Sequence, residues 1–146
     1  MTGTILNGGN AVTTQAQLDA AITVADGEAA NSGAYEIDLG GNIALTSELA
    51  AIALNSGVTL DIEGGNFTLD GGSQYRGLFI QSGAVSVNGL NIDNTLAQGG
   101  TGGFGYASGG GGAGLGGGLF VGAGASVSLS NVAFNGDSAV GGNAGT

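Results

Sequence analysis

The 146 residues hold one Lys or Arg against eleven Asp and Glu, a formal net charge of −10, so the chain repels nucleic-acid phosphates and anionic membrane faces. With no cysteine and no histidine there is no disulfide framework, no thiolate metal site and no Ser–His or Cys–His nucleophile. Apolar residues make up 42% and charged residues only 8%, beside 34 glycines and no proline; this is the balance of a chain that packs, either as one domain or as a piece of a repeating array.

In chain order, Met1–Asn10 lacks the basic start and apolar core of a secretory signal, and no run of about 18 apolar residues follows anywhere. Thr14, Gln15, Ala16 and Gln17 fit a capping box, which predicts a helix over 14–26. Leu18, Ala21, Ile22 and Ala25 give that helix one apolar stripe, and Gly27 suits a left-handed stop. The helix is expected to cover the first exposed layer of the fold, because terminal units of stacked arrays need a cap.

From Tyr35 the period changes to two: Tyr35, Ile37, Leu39, then Ile43 and Leu45 alternate as on a strand face. Gly64-Gly65-Asn66-Phe67-Thr68-Leu69 repeats Gly40-Gly41-Asn42-Ile43-Ala44-Leu45 at an offset of 24, and Phe67 and Leu69 correspond to Leu90 and Ile92 at 23. The predicted coil is therefore 23 or 24 residues. Stacking would put Ile43, Phe67, Leu90 and Val132 in one buried file and Leu45, Leu69, Ile92 and Phe134 in another. Gly57, Gly83 and Gly124 precede strands at equivalent places, where a corner calls for positive φ.

A longer repeat lies downstream. Gly77–Gly100 recurs at Gly118–Gly142, with an offset of 41 at Leu78/Leu119, Phe79/Phe120 and Gly83/Gly124 and of 42 from Val85/Val127 onward, so one residue is inserted near Ser126. A unit of this kind cannot bury its inward face alone and must stack on a neighbour. The expected fold is all-β: a right-handed single-stranded parallel β-helix (β-solenoid) with an N-terminal capping α-helix. The cap would span 1–32, including helix 14–26, and the coils 33–146, interrupted by a glycine-rich loop insertion over 101–117. Phe104, Tyr106 and Leu115 are the bulky residues of that insertion. They read as anchors of a loop, as a partner-contact surface, or as neighbours of packed polyglycine strands.

The run GGNFTLDG, then QYRGLFIQSGAVSVNGLNIDN, a glycine tract and GLGGGLFVGAGASVSLSNVAFNGDSAVGGNAG resembles the passenger segments of bacterial type V autotransporters and related surface β-helices over Gly40–Thr146. The helix before it is similar to the end cap of the broad pectate-lyase-like superfamily. The resemblance implies export to the surface of a Gram-negative cell, with an outer-membrane barrel that this chain lacks, and favours an excised N-terminal portion of a longer passenger.

Chemistry is sparse. Paired carboxylates, as a glycosidase requires, could come from Asp61, Glu63, Asp70 or Asp93, because stacked coils can bring side chains 23 to 25 residues apart into contact, and the cluster singled out is Asp61, Glu63 and Asp93. Arg76 is the sole basic residue, a thin basis for a lyase. Neither a GGxGxD calcium repeat nor an EF-hand loop is present, and a phosphate loop would need a lysine that the chain does not have. No cofactor and no metal are expected. The leading expectation is a non-enzymatic cell-surface or secreted stalk or adhesin segment; beside it stand a carbohydrate-active β-helix and a self-assembling one that stacks end to end. The corresponding partners are a host-surface or polysaccharide ligand, or a second copy of the chain.

Overall fold

The computed structural model describes residues 3–107 and 109–145. Strand dominates, at 41% against 11% helix. In chain order the elements are β1 (Thr4–Ile5), α1 (Gln15–Gly27), β2 (Gly33–Asp38), β3 (Ile43–Ala44), β4 (Ile52–Ala53), β5 (Val58–Glu63), β6 (Thr68–Asp70), β7 (Leu78–Asn88), β8 (Asn91–Asp93), β9 (Leu96–Gln98), β10 (Leu119–Ser130), β11 (Ala133–Asn135) and β12 (Ser138–Val140), with a short 3-10 turn at Asn7–Gly9.

Every strand pair is parallel. The largest sheet runs β1-β2-β5-β7-β10, with β4 joined to the first part of β7; a second runs β11-β8-β6-β3; a third pairs β12 with β9. Parallel neighbours need a long connection between them. From β2 onward that connection passes through a strand of the second sheet before the chain returns to the first.

Alternation along the strands builds the core. Ile37, Leu60, Ile62, Val85 and Val87 point inward from the large sheet, Ile43, Leu69 and Ile92 from the second, and all belong to one buried cluster with the apolar stripe of α1. The register corrects the expected files. Ile43 pairs with Leu69, Leu69 with Ile92 and Ile92 with Phe134, so Ile43 joins the second predicted file, not the first; Phe67, Leu90 and Val132 do stack as expected. The offset is 26 between Ile43 and Leu69 and 25 between β2 and β5, longer than the expected coil of 23 or 24, which is met only between β6 and β8. The GGN motifs misled because they do not superpose: the Asn42 side chain accepts the Thr68 amide at 2.9 Å, two positions beyond the expected partner Asn66.

The insertion in the long repeat lies between Val121 and Gly124, not near Ser126, and Gly83 therefore stands opposite Ala125 instead of Gly124. Gly57 and Gly83 have the expected positive φ, at 74° and 101°, and Gly124 does not. Gly83 bends β7 inside the strand, where a Cβ would meet the Leu54 side chain at 2.5 Å. The corner that recurs is one the motif reading passed over. It precedes β6, β8 and β11 at Asn66, Gly89 and Asn131, all at φ between 53° and 63°, a conformation that Gly and Asn tolerate best.

Helix α1 starts where expected, with the Thr14 hydroxyl accepting from the Gln17 amide, while Gln17 reaches back to the Thr13 amide at 2.8 Å. It ends without a left-handed residue: Gly27 stays helical and Glu28 closes the helix in an extended conformation. Leu18, Ala21, Ile22 and Ala25 are all buried, as their spacing predicted. On an adjacent stripe, Gln15, Asp19 and Asp26 accept the backbone amides of Thr46, Ala50 and Ala53, each at 2.8 Å. Leu54 meanwhile donates the other way, to Ser82 of β7. The helix thus lies along the segment 46–53, which ends in β4, and gives three of its amides the acceptors another strand would have supplied.

Candidate functional site

Two surfaces gather chemistry-bearing side chains. The first is the outward face of the large sheet, where the period of two that turns Leu60, Ile62, Val85 and Val87 inward turns the polar residues out. Register sets Glu36, Asp61, Ser86 and Ser128 in one row across β2, β5, β7 and β10, and Asp38, Glu63, Asn88 and Ser130 in the next. Four carboxylates lie on the two lower strands, with hydroxyls and an amide on the two upper ones.

Asp61 is only 7% exposed, and its Oδ2 has no hydrogen-bond partner among the described residues. Two shallow grooves of about 180 and 410 Å³ meet there, one past Thr59, Ser86, Ser126 and Ser128, the other past Glu63, Asn88 and Ser130. Glu63 accepts from the Asn88 amide at 3.1 Å. Glu36 is pushed above the ordinary carboxylate range, first by a hydrogen bond shared with Asp38, then by burial and the negative charges of Asp38 and Glu63, against the lowering effect of the Gly3 amide. Among the described residues no three acidic side chains converge closely enough to hold a metal ion.

Of the cluster read from the sequence, Asp61 and Glu63 come together on this face and Asp93 does not. Asp93 sits on β8 in the second sheet, beside Asp70 in register and bonded to the Asn135 amide at 3.2 Å. The spacing argument failed for Asp93 because the chain turns a corner after Asn88. Glu36 and Asp38 were missed, although they share the parity of Asp61 and Glu63 one coil earlier.

The second surface is a cleft of about 250 Å³ lined by Glu48, Arg76, Phe79, Gln98, Leu115 and Phe120 among others. The Arg76 guanidinium lies 4.3 Å from the Phe79 ring centre, and Phe79 stacks on Phe120 at 4.6 Å with the planes 8° apart. Glu48 holds Arg76 from below, accepting its backbone amide at 3.2 Å with Nε at 3.7 Å. The repeat that equates Phe79 with Phe120 was the signal for this column; the arginine beside Phe79 carried none.

Leu115 borders that cleft, while Phe104 and Tyr106 stand far out in solvent, so none of the three anchors the glycine tract. Backbone does. Segments 99–103 and 140–145 run side by side, with Gly99 donating to Val140 and Gly102 to Asn143. The segment 109–114 packs against both: Gly109 and Gly112 donate to Gly103 and Gly100, and Gly142 and Gly145 donate to Gly112 and Gly109. Donors recur every third residue, the period of a polyproline-II-type helix. At Gly99, Gly102, Gly111, Gly114, Gly142 and Gly145 an added Cβ would strike a neighbouring carbonyl oxygen. The tract is a bundle of packed polyglycine strands, the third of the readings its composition left open.

Comparison of the chain with protein-family models, with curated proteins and with solved structures yields no match.

Proposed function

We propose that the chain is a right-handed, single-stranded parallel β-helix capped by α1, and that it serves as a non-enzymatic scaffold at the surface of a Gram-negative cell, as an autotransporter passenger does. The observation that supports this reading is that every strand pair, in all three sheets, is parallel. The sequence resemblance over Gly40–Thr146 supports the location and the passenger role. In this reading the coils are a rigid stalk and the exposed Phe104 and Tyr106 at the turn of the glycine bundle form the adhesive tip.

The fold reading is tested by cysteine pairing, for which a cysteine-free chain is suited. Ser86 and Ser128 are exposed register partners; the Ser86→Cys/Ser128→Cys variant should form an intramolecular disulfide on mild oxidation, and a chain that stays reduced would refute the stacked coils. The role reading is tested with Phe104→Ser/Tyr106→Ser, which should lose adhesion to host cells or matrix at unchanged circular dichroism; undiminished adhesion would refute it.

A second reading, polysaccharide binding or cleavage along the outward face, is favoured by Asp61. Its free buried oxygen is an acceptor waiting for a hydroxyl in a groove lined by Thr59, Ser86 and Ser128. Asp61→Ala and Glu63→Ala should abolish retention on the glycan that the native chain binds, and unaltered retention would remove this reading.

A further inference from the structure

The one basic residue of a chain of net charge −10 stands in the cleft beside Phe79, where neither a stalk nor a glycan-binding face gives it a use. Alternation along β7 builds the floor: Leu78 and Ile80 are buried, so Phe79 between them turns outward. The main chain around Arg76 is fixed, since Leu96 donates to Tyr75 and Gly77 to Gly117. Glu48, Arg76, Phe79 and Gln98 all precede β10 in the chain and belong to the layers beneath it.

The guanidinium is positioned but not engaged. Its central carbon lies 4.3 Å from the Phe79 ring centre, a contact that holds the group by its face and leaves its N–H rim to other partners. Glu48 takes the backbone amide of Arg76 and stands 3.7 Å from Nε, beyond hydrogen-bond reach. Nε itself is enclosed and has no partner among the described residues. A buried donor without an acceptor is costly, and a ligand oxygen would supply one.

Charge and size define that ligand. Glu48 and Arg76 are the only charged residues that line the cleft, one of each sign. A molecule with one carboxylate and one ammonium complements both, whereas a simple anion meets Glu48 at close range and the field of a −10 chain from afar. A carboxylate can take two donors of a guanidinium at once. Glu48 Oε2 is occupied by the Arg76 amide, and its other oxygen, on a half-exposed side chain, is an acceptor for an ammonium. The remaining wall, with Phe79, Ala97 and Leu115, is largely apolar. A volume of about 250 Å³ holds about eight water-sized groups at about 30 Å³ each, too few for a drug-sized or polymeric ligand.

We propose that this cleft binds a free α-amino acid with an apolar side chain, its carboxylate on the Arg76 guanidinium, its ammonium on Glu48 and its side chain against Phe79 and Leu115. Each pole of the ligand meets the opposite charge, and its apolar part covers the aromatic floor. The site is separate from the outward face around Asp61 and from the exposed Phe104 and Tyr106, and it stands or falls independently of both.

Titration of the isotope-labelled chain with L-leucine, followed by amide chemical shifts, should move Arg76, Gly77 and Gln98 saturably, with a dissociation constant of about 1 mM or below. L-Leucinamide lacks the carboxylate and N-acetyl-L-leucine the ammonium; each should bind at least about tenfold more weakly, the scale of one lost hydrogen bond to a charged group. Arg76→Lys keeps the charge but not the fork and should weaken leucine binding at least about tenfold. Glu48→Gln should weaken leucine binding and leave N-acetyl-L-leucine binding as it was. The same spectra report whether each variant is folded, and the comparison of the three ligands needs the native chain alone. No saturable shift with leucine up to about 30 mM, equal binding of the three ligands, or native affinity in folded Arg76→Lys would each overturn the proposal.

Discussion

Two edges among the described strands, that of β4 and that of β10, differ in what lies against them. At the N-terminal end a helix is laid along β4 and three of its polar side chains accept the amides that a strand edge would leave bare. Among the described residues no strand pairs with the outer edge of β10, and residues of the same type and register as buried ones are more exposed there. Burial in this fold is thus a property of the neighbour as much as of the residue: among the described residues Ile92 has a strand paired on both sides and Phe134 on one.

The contrast breaks most sharply at that pair. Ile92→Ala empties a fully enclosed position and should cost about 2–5 kcal/mol. Phe134→Ala, at the next layer, should cost about 1 kcal/mol or less when measured on dilute monomer. Equal losses in urea titrations would mean that Phe134 is as enclosed in solution as Ile92.

Next in size is the glycine bundle. A methyl group at Gly111 points at the Gly142 carbonyl, so Gly111→Ala should cost about 1–3 kcal/mol and speed amide exchange at Gly142 and Gly145. Gly110→Ala, where a Cβ meets nothing, should do neither. A reversal of that pair would show that the segments do not pack through backbone.

The smallest effect sharpens the picture of the β4 edge. Asp26→Ala leaves the Ala53 amide without its acceptor and should cost about 1 kcal/mol, with Asp26→Asn largely restoring it. Burial lifts the Asp26 carboxyl above its ordinary 3.8, opposed by the Ala53 amide. The folded state then holds the proton more tightly than the unfolded chain does. This site's stabilising contribution is complete below 3.8 and is lost as pH rises through the raised value. Thermal melts of Asp26→Asn over that range should lack this component of the decline; an unchanged slope would place the shift on another group.

The sequence carried the parallel, strand-rich class and the helix well, because both are written in periodicity: Leu18, Ala21, Ile22 and Ala25 at helical spacing, Tyr35, Ile37 and Leu39 at strand spacing. It carried register poorly. Apolar residues two apart on a strand are interchangeable by type, so a shift of two moved Ile43 from one file to the other without disturbing the pattern. Asp61 and Glu63 could be paired by eye because they share one strand, but Asp93 could be placed only by knowing where the chain turned. The glycine tract was illegible beyond its composition, since what orders it is a hydrogen-bond pattern in main chain that leaves no side-chain signature.

That main-chain packing also bears on how the molecule responds to temperature. Unfolding an apolar core raises the heat capacity of the solution, while exposing peptide groups lowers it. A structure in which the coils contribute the first kind of surface and the glycine segments the second has a smaller heat-capacity increment per residue than its length suggests. Its free energy of folding accordingly varies along a shallower dome, and the bundle loses less of its hold on cooling than the hydrophobic files beside it.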